Sequence, residues 1–168
     1  MGIRYVFFAF LIAGGFAAAA GPAIAGDGEK LFPVVDNQVY AQECSLCHYL
    51  YQPGLLPERS WEKLMKESND HFGENLGLDE KTASEILSYL KANCAEKTRN
   101  KRAKRILSSV GGAVPLRVTE TPYMKGEHRR IKAEVFKRPS IQSFSNCAAC
   151  HKTAAQGDFD EDNVSIPK

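Results

Sequence analysis

Apolar residues recur at helical spacing in several stretches of this chain, and Gly and Pro breaks divide the stretches from one another. Asp36 is placed to cap a short helix through Val39 and Tyr40 that delivers Cys44 and Cys47. Pro53-Gly54 and Pro57 forbid a continuous helix, so Tyr49 to Glu58 is expected as a loop, with Tyr49, Tyr51, Leu55 and Leu56 as apolar lining. A second helix is expected near Ser60, capped by that residue, with Trp61, Leu64 and Met65 on one face before the pattern breaks at His71-Phe72-Gly73. After Asp79, the spacing of Ala83, Ile86, Leu87 and Leu90 predicts a third helix that packs back on the first. Gly111-Gly112 and Pro115 are breakers without any phosphate-loop pattern, and Ile131, Val135 and Phe136 predict a short helix that Pro139 ends. The pattern describes a mainly α chain.

The first residues have another character. Arg4 is a single positive charge, Tyr5 to Ala20 is apolar and uncharged, and Ala23-Ile24-Ala25 is a small-x-small cleavage signal after Gly21-Pro22. Residues 1–25 are therefore expected to be a secretory signal peptide cleaved after Ala25, which places the mature chain in the periplasm. The apolar stretch is shorter than the roughly 20 residues that a spanning helix needs.

Charge changes this picture little. Lys and Arg number 22 against 20 Asp and Glu, and removal of the signal takes only Arg4 from that balance, so bulk charge names no partner. Locally, Lys97, Arg99, Lys101, Arg102, Lys104 and Arg105 form a basic run that reads as a solvated linker or helix face. Export argues against nucleic acid as its partner. The boundary between an N-terminal domain, 26–95, and a C-terminal domain, 96–168, is expected here. Cys94, just before it, is expected to be a small buried residue. Asp158, Asp160 and Asp162 lack the Gly and the final acidic position of a calcium loop and are expected to be solvated.

The chemistry lies in Cys44-Ser45-Leu46-Cys47-His48 and its second copy, Cys147-Ala148-Ala149-Cys150-His151. Two thiols at this spacing lie on one side of a helical turn, where they can form thioethers with the two vinyl groups of one porphyrin, and the next His then sits beneath the iron. A C-x-x-C is also half of a common zinc site. Two complete C-x-x-C-H runs in an exported chain with one other Cys predict two covalently bound haem c groups instead.

The sixth position on each iron decides what such a protein does. Lys152 to Lys168 contains no His and no Met, so the second haem takes its distal ligand from upstream. Of the four His, His48 and His151 are proximal by motif, which leaves His71 for the first haem and His128 for the second. Met124, close to His128, is the competing ligand, whereas Met65 fits the core face of its helix. Two imidazoles per iron favour the ferric state and give a low potential. Filled positions leave no site for oxygen or peroxide, so electron transfer without enzymatic chemistry is expected. A peroxidase or gas-binding protein would need one open iron.

Several stretches together resemble the small bacterial dihaem cytochrome c family, often abbreviated DHC. They are Glu43-Cys44 to His48, Pro53-Gly54-Leu55-Leu56-Pro57, Arg59-Ser60-Trp61, His71-Phe72-Gly73, Glu127-His128, Asn146-Cys147 to His151, Gly157-Asp158-Phe159-Asp160-Glu161 and Ile166-Pro167. The resemblance implies an N-terminal domain like a class I cytochrome c and a largely irregular C-terminal haem-binding segment. It implies bis-histidine ligation, with His71 and His128 at the positions of the distal ligands. It also implies redox partners: a small oxygen-binding monohaem cytochrome and a membrane cytochrome b. Cys94 and the basic run lie outside the pattern.

Overall fold

A computed structural model describes residues 1–2 and 31–168. The proposed signal sequence and its cleavage site lie outside the described residues. Among those described, no helix is long and apolar enough to cross a membrane. Among the described residues, seven α-helices and several 3-10 turns make up the regular structure, and the β pairing consists of two isolated bridges, His71 with Glu74 and His151 with Val164.

Helix α1 spans Gln38–Cys44. Its cap is Asn37, whose side-chain oxygen accepts from the Tyr40 amide at 2.7 Å, and not Asp36, one residue earlier. The expected loop contains a 3-10 turn at Pro53–Leu55, and helix α2, Glu58–Lys66, begins two residues before Ser60. Pro57 holds the N-cap position, where the helix loses no donor, and Ser60 is buried inside the helix. Trp61 and Leu64 are buried beside it, and the Trp61 indole donates to the Pro53 carbonyl at 2.8 Å. Helix α3, Glu80–Asn93, starts as its pattern predicts: the Asp79 carboxylate accepts from the Thr82 amide at 3.0 Å. Buried Ile86 and Leu90 turn α3 onto both α1 and α2.

The basic run is a helix. Helix α4, Lys101–Val110, is capped by Asn100 and buries Ala103, Ile106 and Val110 on one stripe, so its basic residues occupy the remaining faces. The Asn100 side chain accepts from the Ala103 amide at 2.7 Å and donates to the Leu31 carbonyl at 2.9 Å, which ties the start of the described chain to α4. One apolar core contains Phe32, Tyr40, Leu55, Trp61, Ile86 and Leu90 together with Ala103, Ile106 and Val118. Packing therefore continues across residue 95. Cys94 is fully buried in this core, its thiol directed to the Lys91 carbonyl at 3.2 Å.

Beyond Gly111 the elements are short: α5 at Pro122–Glu127, α6 at Ala133–Phe136 and α7 at Cys147–Cys150. Helix α5, which the apolar pattern does not predict, is capped by buried Thr121 and packs on α4. Phe32 closes the fold by donating its amide to the Gly157 carbonyl at 2.9 Å and packing its ring edge-on to Phe159 at 5.9 Å.

Candidate haem-binding site

Each C-x-x-C-H run stands at the end of a helix. Cys44 is the last residue of α1, and Cys47 and His48 lie just beyond it. The second run forms α7 itself, with His151 as its C-cap.

Both runs face one of the remaining His. His48 and His71 have ring centroids 6.3 Å apart and ring planes inclined by 27°. His151 and His128 are 6.1 Å apart at 73°. With a metal–imidazole distance of about 2.0 Å and a ring radius of about 1.1 Å, rings on opposite sides of one metal ion have centroids about 6.2 Å apart. Both pairs fit a single iron between them.

The backbone orients these rings. His48 Nδ1 is 2.7 Å from the Tyr49 carbonyl and His128 Nδ1 is 2.9 Å from the Met124 carbonyl, contacts in which a protonated Nδ1 donates and Nε2 is left able to bind a metal. His71 and His151 are instead held by the two β-bridges. His71 donates its amide to the Glu74 carbonyl at 2.7 Å, and the Ser165 amide reaches the Cys150 carbonyl at 2.9 Å beside the His151–Val164 bridge. The Nδ1 of His151 is buried without a hydrogen-bond partner. Burial, then the charge of His48 and of Arg117, lowers the pKa of His71. Burial, then His128 and Arg102, does the same at His151. Both effects favour neutral imidazole, the form that binds metal.

The second pair opens into an apolar cavity whose walls include Leu55, Val118, Phe136, Phe144 and Phe159. Cys147 and Cys150 line the same cavity, as thioether attachment requires. Burial pushes the Cys44 thiol up to about 11 and the Cys147 thiol up to about 12. Among the described residues, no group of three or more His, Cys, Asp or Glu converges as a zinc site would need. The side chain of Met124 lines the cavity and packs on the core, as Met65 does, and it is the Met124 carbonyl that meets His128.

Several contacts at the site leave no mark in the residue pattern. Tyr51 lies 5.4 Å from the His48 ring and donates its hydroxyl to the Ser145 carbonyl at 3.2 Å, two residues before Cys147. Tyr49 and buried Gln52 both donate to the Ala154 carbonyl, at 2.9 and 2.7 Å. The loop expected only to supply apolar lining thus also fastens the two motif regions together. Arg117 places its guanidinium 3.6 Å above the ring of Phe72, the neighbour of His71. Only the aromatic residue itself is visible in the sequence; its partner is set by the fold.

Known proteins resemble this chain along most of its length. The family model described as dihaem cytochrome c matches residues 40–159. A dihaem cytochrome c from Rhodobacter sphaeroides is similar, with 41% identity and a TM-score of 0.66 over 76% of this chain and 99% of that one. A dihaem cytochrome type c from Shewanella baltica OS155 is 32% identical, with a TM-score of 0.64 over 78% of this chain and 93% of its own. No curated protein matches. Two attachment motifs, the cavity and the likeness along most of the chain lead to one conclusion: this chain belongs to the dihaem cytochrome c family and carries two covalently bound haem c groups.

Proposed function

We propose that this protein is a low-potential periplasmic electron carrier whose irons are both ligated by two histidines, His48 with His71 and His151 with His128. The observation that carries this reading is the separation of 6.3 and 6.1 Å within the two His pairs. Haem iron, when bound, supplies a one-electron ferric–ferrous couple. His48 with His71, and His151 with His128, would hold each iron by two imidazoles, which would favour the ferric form relative to a thioether and deny small ligands a coordination site. With 26–95 and 96–168 as its two haem-bearing halves, each half contributes its own motif and its own distal His.

Periplasmic location is supported by the uncharged apolar stretch from Tyr5 to Ala20, its cleavage signal after Ala25 and the covalent type of haem. The proposed partners are redox proteins, a small oxygen-binding monohaem cytochrome and a membrane cytochrome b. Lys101, Lys104 and Arg105 are exposed on α4 and are proposed to steer an acidic partner surface. If so, the rate of partner reduction falls as salt rises; a rate independent of ionic strength refutes the steering.

An absorption spectrum of the haem-loaded protein tests the ligation. Two low-spin haems, without the near-infrared band of methionine-bound ferric iron and without a shift on adding carbon monoxide after reduction, are the expected result. A methionine band would bring in Met124, and carbon monoxide binding would mean an open iron and a peroxidase or gas-binding role.

A further inference from the structure

The turn that presents His71 is held in an unfavourable shape. Phe72 has φ +59° and Gly73 φ +100°, so two successive residues occupy the left-handed region. Glycine adopts it freely, whereas a bulky Phe does so only where its surroundings impose it. The turn is closed on itself by the His71 amide on the Glu74 carbonyl at 2.7 Å and the Glu74 amide on the His71 carbonyl at 3.3 Å. Core burial does not impose Phe72, because the side chain is 44% exposed. Two contacts do hold its ring: the edge-on His71 ring at 4.8 Å and the Arg117 guanidinium at 3.6 Å.

Arg117 is well placed to impose a shape. The next residue, Val118, is 4% exposed and belongs to the apolar core, so the backbone that carries Arg117 is anchored. On its other side the Arg117 Nε meets the Glu120 carboxylate at 3.5 Å. A planar cation fixed at both ends and laid over an aromatic face is a directional contact, which an ammonium group would not reproduce.

We infer that Arg117 is a positioning residue for the first haem, clamping the Phe72 ring and thereby holding His71 against the iron from the far half of the chain. The inference rests on the proposed ligation by His71. Its charge has a second consequence, since a cation beside the iron favours the less positive, ferrous state. The clamp and the charge are separable by substitution.

The test uses haem-loaded protein and cyanide as an entering ligand at ferric iron. Loss of a cation–π contact at a partly exposed site is expected to raise the rate of cyanide entry at one of the two haems about two- to five-fold, with the other unchanged. Arg117→Ala and Phe72→Leu should each show that gain, and the double variant no more than either, because both remove one contact. Arg117→Lys should bind cyanide faster than the native protein while keeping its potential, whereas Arg117→Ala should lower the potential of that haem. His71→Ala is the control for the ligation and should open one iron fully. If His71→Ala opens one iron and Arg117→Ala and Phe72→Leu bind cyanide at the native rate, the clamp is refuted. If His71→Ala leaves both irons closed to cyanide, the ligation reading fails and the inference goes with it.

Discussion

Gly157 follows the second haem motif and meets the start of the described chain, and replacing it with Ala tests how firmly the two are joined. At Gly157, φ is +75°, and a Cβ added there would lie 1.9 Å from the Phe32 carbonyl oxygen and 2.8 Å from its carbon. Ordinary van der Waals contact begins near 3.4 Å, so one segment must retreat by about 1.5 Å. That movement breaks the 2.9 Å bond from the Phe32 amide to the Gly157 carbonyl and loosens a Phe32 ring that is only 3% exposed. Left-handed backbone costs about 1–2 kcal/mol for Ala, the hydrogen bond about 1 kcal/mol, and partial loss of a Phe burial about 1 kcal/mol out of about 1.5–3. The expected loss is about 3–4 kcal/mol. Urea unfolding followed by the fluorescence of the single Trp61 and by haem absorbance measures it. Gly157→Asn separates the causes, since Asn tolerates the left-handed region but carries the same Cβ. It should still lose about 2 kcal/mol, from the same hydrogen-bond and burial terms. A loss below about 1 kcal/mol in both variants would refute the clash and with it the clasp between Phe32 and the second haem segment.

Other outcomes follow from the same packing. Trp61→Phe leaves the buried Pro53 carbonyl without its 2.8 Å donor and should cost about 1–2 kcal/mol, read from haem absorbance because the fluorophore is gone. Asn100→Ala removes both the cap of α4 and the tie to Leu31, with an expected loss of about 1–2 kcal/mol in the same assay. For Cys94, burial pushes the thiol from 9.0 to about 11 in the native protein. The unfolded thiol releases its proton first as pH rises, so the stabilisation is complete below pH 9 and is lost between pH 9 and about 11. The slope approaches about 1.4 kcal/mol per pH unit, and Cys94→Ala should lack that component when stability is compared across this window. An identical pH profile in the variant would show that the thiol ionises alike in both states.

How much of this was legible in the chain depended on whether its cause was local. A C-x-x-C-H run places two thiols and an imidazole within one turn whatever the rest of the protein does, so both haem attachments could be read directly. The cap at Asp79 and the stripe of Ile86 and Leu90 were equally local, and α3 is where they place it. Boundaries that depend on competing caps shifted, by one residue from Asp36 to Asn37 and by three from Ser60 to Pro57. The count of four His singled out His71 and His128, but their separation along the chain from His48 and His151 says nothing about distance in space.

Tertiary structure decided what lies far apart in sequence. Six positive charges hid the apolar stripe of Ala103, Ile106 and Val110, because a helix face is recognisable only when something covers it, and here α5 and the core do. The pairing of each motif His with a second His at about 6 Å is set by packing that brings the His71 turn to His48 and the end of α5 to His151. The same holds for the Tyr51 hydroxyl on the Ser145 carbonyl and the Arg117 guanidinium over Phe72. Composition and spacing determined by themselves that this chain binds two haems, since thioether attachment is a property of a few adjacent residues. Which side chains stand opposite each motif His depended on the folded chain, because those contacts form only after distant segments have been buried together.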